Sequence, residues 1–258
     1  MKEKQKQQNM IHLGTHGEDY GNWMSNPVLY TIGGLLVVTG AVASLASTVF
    51  HVTVLSGLAL IAAISLLLLL CWCGWIRRQY AFGGGGMMER VHHTVLSYLD
   101  FDGQGQLLDV GCGSGYLISV LAAERKDAEF YGLDISPKML EQARKKLAAV
   151  RNVTLTEGGA NRLPYPDGGF DAVTCIMSFH HYPYPYEAVA EACRVLRAGG
   201  TYVLSDVDKH GYGEPEAGEY ATYDADSAAE ILRRTGFAVA EKRNISPESY
   251  IVVGVKEG

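Results

Sequence analysis

The residues Leu107-Leu-Asp-Val-Gly-Cys-Gly-Ser-Gly-Tyr-Leu117 join an apolar run, three glycines at alternate positions and the start of a helical apolar pattern. Leu107, Leu108 and Val110 suit a buried parallel strand. Gly111, Gly113 and Gly115 allow a tight turn and close approach of a ligand to the backbone. Leu117, Ile118, Val120 and Leu121 resume at helical spacing, and a helix start presents unpaired N–H groups to an anionic group. Strand, glycine turn and helix together predict a nucleotide-type site. Asp109 precedes the first glycine by two positions. Asp134 ends the next predicted strand, where a carboxylate can accept hydrogen bonds from both hydroxyls of a ribose. Helix capping is the other reading of Asp134.

The G-x-G-x-G spacing differs from the dinucleotide code G-x-G-x-x-G. The whole run resembles the first motif of the class I S-adenosylmethionine (SAM)-dependent methyltransferases, which reads much like LDVGCGSG. The resemblance covers about residues 87–258. It extends to the Leu163-Pro-Tyr-Pro-Asp167 stretch, to the His180-His181 pair after the fourth strand, and to Arg194-Val-Leu-Arg-Ala-Gly-Gly200, with Ala198 in place of a proline. It implies SAM as cofactor, with Asp134 on the ribose and Asp109 near the methionine end, where its charge suits an ammonium and a sulfonium. Gly111, Cys112, Gly113, Ser114, Gly115 and Tyr116 would line the cofactor. Ile135 and Met139 would contact it after the second strand, and Met177 and Ser178 would face its methionine part.

One departure concerns adenine. The family pattern G-D-A-x-x-L-P has an Asp where this chain has Gly159. Glycine offers no side-chain acceptor. Of the candidate contacts Gly159, Ala160 and Asn161, reading of the base falls to backbone groups around Ala160 or to Asn161. His180 and His181 lie near the expected transfer point. An imidazole there can take a proton as a hydroxyl or amine is methylated. Capping the following helix and packing are the alternative roles, and positioning with desolvation can suffice without a base.

The 258 residues carry 22 Lys/Arg against 28 Asp/Glu, a net charge of −6. Residues 79–258 are the acidic part. That argues against nucleic acid as partner, since phosphate binding leans on Lys/Arg clusters. The five cysteines, Cys71, Cys73, Cys112, Cys175 and Cys193, fit neither a zinc site nor a disulfide framework, and no metal is expected.

The elements that must position these groups follow in order. Residues 1–27 read as a polar cytosolic tail without signal-peptide architecture. From Gly21 to Ile76 there is no Asp, Glu, Lys or Arg. That length allows two membrane spans of ~20 residues each, expected at Val28 to about Ala46 and about Val54 to Trp75, with a turn between. Lys2, Lys4 and Lys6 before the first span and Arg77 and Arg78 after the second place both ends in the cytoplasm. Residues 77–86, ending in four glycines, read as a linker. From residue 87 a helix precedes strands and helices in alternation, and two final strands share a short loop. This predicts an α/β, Rossmann-like, doubly wound and mostly parallel seven-stranded sheet with an antiparallel strand at one edge.

The expected protein is thus a membrane-anchored methyltransferase for a small-molecule or lipid-like acceptor. A membrane-tethered SAM-binding sensor or scaffold and a dinucleotide-dependent oxidoreductase are the alternatives. Oligomeric state is not legible.

Overall fold

The computed structural model describes residues 26–50, 53–80, 86–99, 104–209 and 223–258. The expected tail up to residue 25, turn residues 51–52, linker residues 81–85 and loop residues 210–222 lie outside the described residues. The chain divides into two compact units, one within Glu18–Glu89 and one built on Arg90–Gly258.

In the first unit, helix α1 (Asn26–Phe50) packs on helix α2 (Thr53–Tyr80). Both outrun the expected spans, and α1 absorbs most of the expected turn. Nothing in Ser47-Thr-Val-Phe50 breaks a helix. The Thr48 hydroxyl donates to the Ser44 carbonyl (2.8 Å), an i−4 bond that a continuing helix accommodates. α2 likewise continues through Arg77–Tyr80, the first part of the expected linker. The described residues of neither helix form a stretch long and apolar enough to cross a membrane.

In the second unit, α3 (Met87–Leu96) precedes β1 (Gln106–Val110), α4 (Tyr116–Glu124), β2 (Glu129–Asp134), α5 (Pro137–Lys146) and β3 (Val153–Glu157). Then come β4 (Phe170–Ile176), a 3-10 turn (Phe179–His181), α6 (Pro185–Val195), β5 (Leu196–Val207), α7 (Ala225–Arg234), β6 (Phe237–Ser246) and β7 (Ser249–Lys256). The seven strands form one sheet in the order β3-β2-β1-β4-β5-β7-β6. Pairings from β3 to β5 are parallel, while β7 pairs antiparallel with β5 and with the edge strand β6. The antiparallel pairing expected at one edge is therefore present, with β7 inserted between β5 and β6. The helix that opens at Pro137 ends at Lys146, and Leu147 caps it.

Strands β1, β2 and β4 are buried along most of their length, as helices covering both faces require. Leu108, Val173, Tyr202, Leu204, Tyr250 and Val252 build one core layer with Val189 and Val195 of α6 and Ala228 and Leu232 of α7. The strand order reverses beside β1, whose neighbours are β2 and β4. Such a reversal opens a crevice at the carboxyl ends of the strands, the place where ligands bind in these sheets.

Register then places single groups. Asp109 stands between Gly132 of β2 and Thr174 of β4. Gly132 is required there by space. A Cβ at this position would lie 2.8 Å from Leu155 Cδ2 and 2.9 Å from both Cys112 Sγ and Ile118 Cδ1. Gly132→Ala is expected to destabilise the domain by about 1–3 kcal/mol through overpacking. A urea unfolding midpoint lowered without a change in slope checks this.

Candidate functional site

The glycine turn crosses from the end of β1 to the end of β2. Gly111 and Cys112 both donate their backbone N–H to the Leu133 carbonyl (2.7 and 3.1 Å), and Gly113 donates to Asp134 Oδ2 (2.8 Å). All three glycines are left-handed, with φ of 77°, 53° and 73°. Gly111 is also pressed from below. A Cβ there would lie 2.4 Å from Ser178 Oγ. Gly115 caps α4, and its Cβ would meet Leu147 Cδ1 at 2.9 Å. The sequence made the turn because only glycine combines these angles with these approaches.

Asp134 is held at the centre of the crevice. Its Oδ1 accepts the Ser136 N–H (2.8 Å) and its Oδ2 the Gly113 N–H. Each carboxylate oxygen has a second lone pair, so the group can still accept from two hydroxyls. Burial raises its pKa, against the lowering effect of the Ser136, Gly113 and Ile135 N–H groups. Helix α5 starts here with Ser136 as N-cap, accepting the Met139 N–H, and Pro137 in the first turn. The capping role thus belongs to Ser136. Ile135 leaves its side chain 48% exposed beside the carboxylate, a place for an apolar ligand surface. Met139 is buried, its Cε 3.8 Å from the Cβ position of Gly113.

Asp109 is only 4% exposed. Burial pushes its pKa up to about 7, the Thr174 hydroxyl hydrogen bond (2.7 Å) opposes that, and the Asp134 charge adds to it. A buried carboxylate of this kind is stabilised as an anion by any cation brought to it. Of the other expected loop contacts, Cys112 turns its thiol toward Gly132, beneath the turn. Burial holds that thiol well above its ordinary pKa, so it is no nucleophile. Ser114 accepts from Lys146 Nζ (3.0 Å), and Tyr116 opens α4 with its ring edge-on to His92.

The β4 side carries the remaining groups. Met177 has φ of 52°, the left-handed region that a methionine rarely adopts, and donates its N–H to the Ser205 carbonyl (2.8 Å). Ser178 lies under Gly111. Its hydroxyl and that of Tyr182 are each 3.1 Å from the Val110 carbonyl and 3.1 Å from one another. Ser178 therefore braces the turn. His180 and His181 sit in the 3-10 turn with ring centroids 3.9 Å apart. His180 Nδ1 is 2.6 Å from Asp206 Oδ1, and the His180 backbone N–H donates to Asp206 Oδ2 (2.9 Å). Burial alone would lower the His180 pKa, but the Asp206 carboxylate outweighs it and the net shift is upward. His181 is driven down to about 4, first by burial and then by the His180 charge. The two histidines thus divide: one paired and basic, one neutral.

Asp206, Thr174 and Tyr182 were missed by sequence reasoning. β5 runs on to Val207 and leaves the Asp206 carboxylate 1% exposed. The usable signal was an acidic residue at the carboxyl end of a strand, the same signal that marked Asp134. Gly159, Ala160 and Asn161 follow β3 directly. β3 pairs Glu157 with Asp134, and Gly158 donates its N–H to the Asp134 carbonyl (3.0 Å). The structure thus brings the turn, Asp109, Asp134, the β3 loop and the histidines to one edge of the sheet. No cluster of ligands able to hold a metal occurs among the described residues.

Comparison with known proteins agrees with this geometry. Residues 108–204 match the family profile described as a methyltransferase domain. A demethylmenaquinone methyltransferase of Deinococcus radiodurans is 41% identical over 100 residues, which are 38% of this chain and 42% of the relative. A phthiotriol/phenolphthiotriol dimycocerosates methyltransferase of Mycobacterium tuberculosis is 31% identical over 144 residues, 56% of this chain and 50% of the relative. The chain spans half or less of the length of these relatives. The crystal structure of a SAM-dependent methyltransferase from Aquifex aeolicus superposes with a TM-score of 0.57 at 21% identity, over 65% of this chain and 91% of that one. The fold is the Rossmann-like methyltransferase fold.

The raised Asp109 pKa sets a testable linkage. A cation beside Asp109 favours its charged form, so binding SAM is expected to release a proton. Affinity then falls as pH drops below about 7 and levels off above it. Calorimetry at pH 6.5 in two buffers of different ionisation enthalpy measures the release, and Asp109→Asn is expected to abolish it.

Proposed function

We propose that this protein transfers a methyl group from SAM to a small-molecule or lipid-like acceptor, with its catalytic domain held at the cytoplasmic face of a membrane by α1 and α2. The observation that carries the catalytic reading is the Asp134 carboxylate. It is fixed by two backbone N–H groups at the mouth of a left-handed glycine turn, with the buried Asp109 alongside. Asp134 would hold the ribose, the turn would line the chain between ribose and methionine, and Asp109 would face the cationic end. SAM, when bound, supplies a methyl carbon activated by its sulfonium.

The chain's own contribution to transfer is orientation and a proton acceptor. With His180 Nδ1 engaged by Asp206, Nε2 is the nitrogen that would exchange a proton with the acceptor. As a hydroxyl or amine attacks, its proton passes to Nε2, and Asp206 stabilises the resulting imidazolium. His181, neutral at physiological pH, adds no competing charge. The names of the two relatives, which cite a demethylmenaquinone and phthiotriol dimycocerosates, support an acceptor of small-molecule or lipid-like class.

The anchor rests on the sequence. No charged residue occurs from Gly21 to Ile76, and basic residues flank that stretch. Leu35, Val37, Ile61, Leu68, Trp72 and Trp75 are exposed on α1 and α2, an apolar surface that soluble chains seldom show. In this reading the two helices form a hairpin with both termini cytoplasmic, and lipid-like acceptors are delivered laterally.

A screen of quinol, phenol and lipid acceptors with methyl-labelled SAM tests the activity, and no transfer to any of them would leave only a SAM-binding role. His180→Asn is expected to lower turnover about 100-fold or more while S-adenosylhomocysteine binding stays within about threefold. Turnover should rise with pH through a midpoint above the ordinary histidine value, because only the deprotonated ring accepts. Asp206→Asn should move that midpoint down, since it removes the charge that raises it. For the anchor, the full chain expressed in bacteria is expected to stay in the membrane pellet after an alkaline carbonate wash. Release to the supernatant would refute it.

A further inference from the structure

The adenine end of the crevice has an unusual construction. Gly159 follows β3 beside Asp134, where the resembling family carries an Asp. Its backbone is not left-handed, so nothing in its conformation demands glycine. A Cβ added there meets one described atom within 4 Å, Asn161 Oδ1, at 3.0 Å. The Asn161 amide therefore lies within contact of the place where a side chain at 159 would begin, and it would have to shift by a few tenths of an ångström to admit one. Asn161 is half-buried, and its amide makes no hydrogen bond within the described structure. Arg162 fixes the local turn instead, donating its N–H to the Gly159 carbonyl (3.3 Å).

A partnered ligand is the natural use for such an amide. A ligand whose ribose sits on Asp134 and whose tail runs along the β1 turn must project its base toward the opposite neighbour, the β3 loop. There the exposed Ile135 offers an apolar surface to the base. Resting on the SAM-binding reading above, we infer that the Asn161 amide replaces the missing side chain at 159 as reader of the purine edge, and that it admits a 6-oxopurine as well as adenine.

The second clause follows from amide chemistry. An amide carries one acceptor and two donors, whereas a carboxylate only accepts. Toward adenine, Oδ1 accepts from the 6-amino group and Nδ2 donates to N1. Toward hypoxanthine the two roles invert: Nδ2 donates to the 6-oxo oxygen and Oδ1 accepts from N1–H. A half-turn about the terminal torsion exchanges these arrangements, and among the described residues no hydrogen bond holds the amide in either.

Calorimetry on the full chain with S-adenosylhomocysteine and its deaminated counterpart S-inosylhomocysteine tests this. The native chain is expected to bind the two within about fivefold of each other. Asn161→Ala should weaken both by about tenfold, with thermal stability unchanged because no protein hydrogen bond is lost. Unaltered binding of both ligands by Asn161→Ala would overturn the assignment. Rejection of the inosyl compound by more than tenfold in the native chain, abolished by Asn161→Ala, would overturn the dual selectivity and leave a fixed adenine reader. Absence of any binding of S-adenosylhomocysteine to the native chain would instead sink the SAM-binding reading, and this inference with it.

Discussion

The Leu133 carbonyl accepts two consecutive backbone N–H groups from the turn after β1, and the site depends on that pairing. It ties the end of β1 to the end of β2 beyond the last ladder pair, Val110 with Leu133. The chain can then bend only through left-handed residues, which is why glycines recur at alternate positions. Gly113 is left with its N–H directed at Asp134. One carbonyl thereby fixes the geometry of the turn and the orientation of the carboxylate together.

Support comes from beneath on the β4 side. The Val110 carbonyl, past its own ladder partner, is met by the hydroxyls of Ser178 and Tyr182, and the buried Cys175 thiol lies 3.2 Å from Ser178 Oγ. This polar knot occupies a part of the core where each group would otherwise be unsatisfied. It also commits Ser178 to structure and obliges Met177 to adopt a left-handed backbone before the 3-10 turn. Met177 immediately precedes the Ser178 that braces Gly111, so the strained backbone lies at the same strand ends as the turn.

Of the four buried carboxylates among the described residues, Asp109, Asp134 and Asp206 differ through their surroundings. Asp109 has one hydroxyl partner and a pKa pushed up to about 7. Asp134 is compensated by backbone N–H groups. Asp206 receives the Val207 N–H (2.6 Å) as well as both His180 contacts. The first is poised to respond to a cation, the second to accept from neutral hydroxyls, and the third to hold an imidazole. An acidic edge with these separate tasks fits the net negative charge of the chain.

The strand positions, the helix starts and the turn were legible because each is written in neighbouring residues: apolar runs, Ser136-Pro137, and glycines spaced for a turn. Element ends were less so. Thr48 hides a continuing helix, and Asp206 hides the length of β5, since a hydroxyl or a carboxylate looks like a loop residue until its partner is known. Asp109 and Asp134 could be named from sequence, but not the upward pKa shift of each, which burial in the sheet causes. The Asp109–Thr174 and His180–Asp206 bonds join residues 65 and 26 positions apart, and the strand register chooses those partners. Asn161 was close enough in sequence to suspect, yet only the fold of the β3 loop puts its amide within contact of the space left by Gly159. Local sequence determined which backbone could bend and where a helix could begin. Tertiary structure alone decided which side chains meet and how far water is excluded from them, because those depend on strands brought together from distant parts of the chain.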